Sequence, residues 1–102
     1  KQVKQLYDYK CQVCNIQLIT PAGLYAEGAH IRPLGKPHNG TDSIDNLLCL
    51  CPNHHVLFDN LVFTISDDFI LIGIAGILNV NPKHKISKDN LQYHREHRYK
   101  LR

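Results

Sequence analysis

No methionine occurs anywhere in the 102 residues, so the chain is expected to be a C-terminal piece of a longer protein. A run of apolar residues able to span a bilayer is also missing. The most apolar stretch, around residues 69–80, is short and interrupted, whereas a membrane helix needs about 20 such residues. The charged start, KQVKQLYDYK, does not read as a secretory signal, and there is no repeat or low-complexity segment. What remains is a single domain, residues 1–102, with one modest core and no part in a membrane.

A core that small usually needs a staple, and four cysteines are present. Cys11 and Cys14 form a C-x2-C knuckle, and Cys51 stands three residues before His54. Thiolates and an imidazole at these separations suit a tetrahedral Zn2+ better than two disulfides. The disulfide reading would place the chain outside the cell. The zinc reading favours a reducing compartment, cytoplasmic in a bacterial-type cell. Cys49 could replace Cys51, since it lies two residues earlier and an extended strand would put both on one face. The spacing of Cys51 to His54 mirrors that of Cys11 to Cys14 and favours Cys51. Cys49 is then a small buried hydrophobe.

The formal charge of +3 is unevenly placed. Residues 83–102 carry Lys83, Lys85, Lys88, Arg95, Arg98, Lys100 and Arg102 against Asp89 and Glu96; residues 1–10 carry Lys1, Lys4 and Lys10 against Asp8. The middle holds Arg32 and Lys36 against six acids. Basic ends around an acidic, metal-binding middle suit a polyanion, with Arg95, Arg98 and Lys100 expected at phosphates.

The chain is expected to be α+β. A short helix (residues 2–9) leads into the knuckle, followed by a strand in IQLIT and, after Pro21-Ala22-Gly23, a strand over 24–31. A long polar loop runs to Asp45 and a buried strand covers 46–51. Pro52, at a position helices tolerate, opens a helix to about Asn60. LVFTI and FILIG form a hairpin that ILNV could extend. Ser87 caps a last helix from Lys88 to about Tyr99.

GAHIRPLG followed by DNLLCLCPNHHVLFD resembles the HNH endonuclease family, whose ββα-metal fold carries a His at a strand end, an Asn after a loop and a His on a helix. The likeness runs from Cys11 to about Gly73. AHIRPLG-x-PH-x-G, LCLCPNHHVLFD and the trailing NLQYHREH are similar to the HNH domains joined to SRA domains in modification-dependent restriction endonucleases. The resemblance implies a ββα-metal finger with a structural zinc, flanking helices and an extra C-terminal hairpin. It also implies hydrolysis of double-stranded DNA to 5′-phosphate and 3′-hydroxyl ends. Site choice would lie in an upstream DNA-recognition domain, with an SRA domain as the candidate, and two copies could assemble to cut both strands.

On this resemblance His30 is the general base that takes a proton from water, and His55 holds a catalytic divalent ion, Mg2+, Mn2+ or similar. Asn46 either ligates that ion or pins the loop that aims the histidine. Where many members have an acid or a second His before the base, this chain has Ala29. Glu27, two residues earlier, could act through a water or make a structural ion pair. Asp59, one helical turn after His55, is placed to accept the other imidazole N–H as second-shell support for that ligand. Arg32 could meet a phosphate or a surface acid, and His38, His84, His94 and His97 are read as surface residues. The alternative is a non-catalytic zinc-dependent DNA-binding or scaffold module, which has no use for His30 and His55 together.

Overall fold

A computed structural model describes residues 2–100; Lys1 and Arg102, counted above in the basic ends, lie outside them. The elements in chain order are α1 (Gln2–Leu6), β1 (Leu18–Thr20), β2 (Gly23–Tyr25), β3 (Glu27–His30), β4 (Leu47–Leu50), α2 (Pro52–Asp59), β5 (Thr64–Ile65), β6 (Leu71–Ile72) and α3 (Lys88–Lys100), with a 3-10 turn at Ile44–Asn46 before β4. The fold is α+β, as expected.

β4 shows why residues 47–51 are apolar without alternation: both faces of the strand are covered. Leu48 and Leu50 face a core shared with Ile31, Phe58, Phe63 and Leu91. Cys49 lies in a second cluster with Val3, Tyr7 and Ala26, under α1. β3 and β4 pair antiparallel from Glu27↔Leu50 to His30↔Leu47, and α2 packs on them, which completes a ββα unit.

The expected strand over 24–31 is broken at Ala26. Upstream, β2 pairs with β1, in the register Leu18↔Tyr25 to Thr20↔Gly23. Downstream, β3 pairs with β4. Ala26, 3 % exposed, dives into the α1-side cluster, and there the chain changes partner. β5 and β6 form the expected hairpin, pairing Thr64↔Ile72 and Ile65↔Leu71. ILNV does not form a strand and contributes one bridge, Ile70↔Ile77. The Asn79 amide N–H instead donates to the Gln12 carbonyl (2.8 Å). Gln12 is buried, its Nε2 donating to Asn79 O and its Oε1 accepting from Cys49 N–H. One glutamine thereby ties the knuckle to β4 and to the segment before α3.

α3 starts where Ser87 predicts: its Oγ accepts from Asn90 N–H (3.2 Å). Two histidines expected at the surface are corrected here, because His84 and His94 are 3 % and 6 % exposed. Each is buried because both ring nitrogens find partners, which removes most of the cost of desolvation. His84 accepts from the Tyr7 hydroxyl at Nδ1 (2.6 Å) and donates from Nε2 to Ile44 O (2.9 Å). His94 accepts from Thr64 Oγ1 at Nδ1 (2.6 Å) and donates from Nε2 to Phe58 O (3.1 Å). Its ring also stacks on Phe58 at 3.8 Å. The bond to Phe58 O adds to the one this carbonyl accepts from Leu61 N–H (3.0 Å), so α3 helps to secure the end of the helix that carries His55.

Burial pushes the His94 pKa down to about 4 and lowers that of His84. A histidine held neutral in the fold but free to protonate when unfolded stabilises fully above its unfolded pKa, near 6.5. That stability is lost as pH falls through the folded value. Between pH 6.5 and 4 His94 is expected to remove roughly 3 kcal/mol. Denaturant titrations at several pH values should show this slope flattened in His94→Gln, whose amide keeps a donor but does not titrate.

Candidate active site and metal-ligand cluster

The knuckle after α1 and the start of α2 bring four ligands together. One donor atom from each of Cys11, Cys14, Cys51 and His54 lies within 4.8 Å of the others. Cys14 Sγ is 3.9 Å from Cys51 Sγ, and His54 Nδ1 is 3.3 Å from Cys51 Sγ and 3.9 Å from Cys11 Sγ. Donors about 2.0–2.3 Å from a common tetrahedral centre stand roughly 3.3–3.8 Å apart, so the set could hold a metal ion. None of the four cysteines is in a disulfide.

The strand-face argument for Cys49 fails. β4 ends at Leu50, and Cys51, at φ −73° and ψ 163°, is already the N-cap of α2, its sulfur accepting from His54 N–H. The chain turns between the two cysteines, leaving Cys49 in the α1-side cluster, where burial pushes its thiol up to about 11. Its sulfur is not one of the donors that converge with Cys11, Cys14 and His54.

His30 ends β3, and its Nε2–H donates to Asp42 Oδ1 at 2.8 Å. An acid on that nitrogen leaves Nδ1 as the basic one. Nothing in the sequence links the two residues: Asp42 stands twelve positions away in the β3–β4 loop, outside any helical or strand periodicity.

Asn46 is fully buried. Its Oδ1 accepts from Arg32 N–H (2.8 Å), and its Nδ2 donates to Arg32 O (2.9 Å) and Thr41 O (2.7 Å). Both donors and the carbonyl are committed to the loop. Gly40 sits where that loop doubles back, since a Cβ there would lie 2.0 Å from Arg32 O. The loop carrying Asp42 is thereby fixed against the end of β3.

On α2, His55 stands between two acids. Nδ1 is 2.8 Å from Glu27 Oε1, and Nε2 is 3.1 Å from Asp59 Oδ2. Glu27 also accepts from the Tyr25 hydroxyl (2.6 Å); that bond, then the one to His55, holds its carboxyl below the usual range. A neutral imidazole has one N–H to give. With it directed at Glu27, the bare Nε2 lone pair and the Asp59 carboxylate form a pair of donors suited to one cation. His54 and His55, adjacent in sequence, serve different sites.

His30, His55 and Asp59 line one cavity of about 560 Å3, shared with His38, Tyr93 and His97. His38 and His97, expected at the surface, are partly buried in this wall. Arg32 is held against the same wall. Its Nε donates to His38 O (2.6 Å), and its guanidinium lies 4.1 Å over the Tyr93 ring. Arg95 is held by Asp67 (3.0 Å) and by Ile65 O (2.8 Å), and Arg98 reaches Val62 O. Two of the three cations expected at phosphates are therefore committed to packing α3 on the hairpin. No helix among the described residues is long and apolar enough to cross a membrane.

A family model described as HNH endonuclease matches residues 11–66. Among solved structures, the "Modification dependent TagI restriction endonuclease" is 44 % identical and superposes with a TM-score of 0.91. The match covers 94 % of this chain and 35 % of that one, so the chain spans about a third of that protein's length. A search of curated proteins gave no match. With the ββα unit, the His–Asn–His order and the family match in agreement, the chain belongs to the HNH endonuclease family.

Proposed function

We propose that this chain is the cleavage domain of a metal-dependent endonuclease acting on double-stranded DNA, and that the intact protein is a modification-dependent restriction enzyme whose recognition domain, SRA or another, lies upstream. One observation carries the nuclease reading: His30, backed by Asp42, and the His55–Asp59 pair open into the same cavity. A non-catalytic scaffold would gain nothing from that juxtaposition. The restriction role is supported by the 44 % identity to the modification-dependent TagI restriction endonuclease.

His30 accepts the proton of the attacking water at Nδ1 while Asp42 holds Nε2–H, fixes the tautomer and steadies the imidazolium that forms. Asn46 is a positioning residue: with its hydrogen bonds committed to Arg32 and Thr41, it aims His30 by fixing the loop and does not ligate an ion. His55 Nε2 and Asp59 would hold the divalent ion, and Glu27 fixes the His55 tautomer from behind. Asp59, which lines the cavity, thereby moves from supporting His55 to a place at the ion, while the Glu27 contact with His55 matches the structural ion pair that was one of its two expected readings. The ion, when bound, neutralises charge on the scissile phosphate and supports the leaving 3′ oxygen. Two protein ligands make a weak site, which suits Mg2+ or Mn2+ completing its shell with water and phosphate oxygens. The closed Cys11–Cys14–Cys51–His54 set, by contrast, suits a structural Zn2+.

The test is plasmid nicking with Mg2+ or Mn2+. Wild type should convert supercoiled to open-circular DNA, EDTA should stop it, and His55→Ala should be inactive while keeping its tightly held zinc. Calorimetric titration should show Mn2+ binding weakened by at least about tenfold in Asp59→Ala, since even residues that only orient a ligand are worth about 10–100-fold. Undiminished nicking by His55→Ala would refute the reading.

A further inference from the structure

α3 lies outside the segment that the family model matches, yet Tyr93 and His97 on it line the cavity of His30 and His55. We propose that Arg32, His38, Tyr93 and His97 form a subsite for a DNA backbone phosphate beside the scissile one. The inference rests on the nuclease reading and extends the substrate site onto the C-terminal helix.

The four side chains hold one another in place. His97 Nδ1–H donates to Tyr93 O (2.9 Å), one turn earlier, which leaves Nε2 as its other nitrogen. His38 bonds the Tyr93 hydroxyl through Nδ1 (2.6 Å). The His38 ring meets Tyr93 edge-on at 5.8 Å and His97 at 5.4 Å, while Tyr93 and His97 lie 4.2 Å apart. Arg32 is fixed by Nε on His38 O and by its stack on Tyr93. The Nε bond leaves the rest of the guanidinium over the Tyr93 ring, beside the cavity that this ring lines. A guanidinium held in one orientation is pre-organised for phosphate oxygens.

The charge pattern points the same way. Among the described residues lining the cavity, Asp59 is the sole acid, and it stands at His55. The wall around Tyr93 thus offers two imidazoles and a hydroxyl, with the Arg32 guanidinium over the ring. Pro33 and Leu34, also in the wall, give an apolar surface against which a deoxyribose can lie. Phosphate contacts of this kind position the duplex without reading sequence. Here they would set the strand's register so that the scissile bond falls between His30 and His55.

The experiment measures DNA affinity against salt, and kcat and KM for nicking, in wild type and in Arg32→Gln, Arg32→Lys, Tyr93→Phe and His97→Ala. Arg32→Gln should weaken DNA binding about tenfold, mainly in KM, and reduce the slope of log K against log salt by about 1. Arg32→Lys should recover the slope, because it keeps the charge while losing the Nε bond; a purely structural role for Arg32 would not be rescued by lysine. Tyr93→Phe, which keeps the ring and frees His38, should cost about two- to threefold. Should His97→Ala fail to fold, the Arg32 pair still decides. Wild type that nicks DNA, combined with an unchanged slope and affinity in Arg32→Gln, overturns the subsite alone. Wild type that does not nick DNA overturns the nuclease reading on which it rests.

Discussion

Serine in place of Cys51 is expected to leave the domain unfolded at neutral pH, whereas serine in place of Cys49 should leave it folded. Structural Zn2+ in small domains contributes about 10–16 kcal/mol of apparent binding free energy at pH 7. The whole stability of a domain this size is only about 5–15 kcal/mol. Cys51 is also the N-cap of α2, a position serine fills well, so the expected collapse comes from the lost metal ligand and not from the cap. Cys49 sits with Val3, Tyr7 and Ala26; a hydroxyl there costs about 1–3 kcal/mol through partial burial of a polar group and touches no ligand. Metal analysis with circular dichroism separates the cases. Cys51→Ser should carry no tightly bound zinc and no helical signal, and Cys49→Ser should carry about one equivalent and melt cooperatively at a lower temperature. A folded, zinc-loaded Cys51→Ser would overturn the ligand assignment.

His30→Ala should reduce nicking by about 10²–10⁴, the usual worth of a positioned general base, with the melting temperature and zinc content close to wild type. The side chain is partly exposed and its hydrogen bond runs to Asp42, itself exposed, so little packing is lost with it. Mn2+ binding should persist, which distinguishes this variant from His55→Ala. Asp42→Asn can still accept the Nε2–H bond and should lose about tenfold or less. Single-turnover nicking at saturating metal is the suitable measurement. Activity in His30→Ala within a few-fold of wild type would exclude it as the base.

The parts of this architecture set by short-range spacing were legible in the residues alone. The two knuckles, the proline that opens α2, the cap at Ser87 and the four-residue step from His55 to Asp59 each follow from local geometry. The His–Asn–His order was visible as well, because a β-hairpin followed by a helix keeps the three in sequence. What escaped depends on tertiary approach. Asp42 reaches His30 only because Asn46 and Gly40 fold the loop back, and Tyr93 meets His38 across 55 residues. The burial of His84 and His94 was hidden for a related reason. A histidine can enter a core once both nitrogens are bonded, and its partners here, Tyr7, Ile44, Thr64 and Phe58, are distant in sequence. The split of residues 23–30 into two strands likewise reflects a change of partner, to which hydrophobic alternation is blind.

The thin covering over Cys49 gives the molecule a clock of its own. That thiol is sealed by a helix of five residues, held mainly by Val3 and by Tyr7, whose hydroxyl bridges to His84. Segments with few buried contacts open at a small fraction of the global unfolding free energy, and each opening of so short a helix bares a sulfur that is otherwise inaccessible. Its rate of alkylation therefore counts how often the N-terminal helix lifts from the sheet.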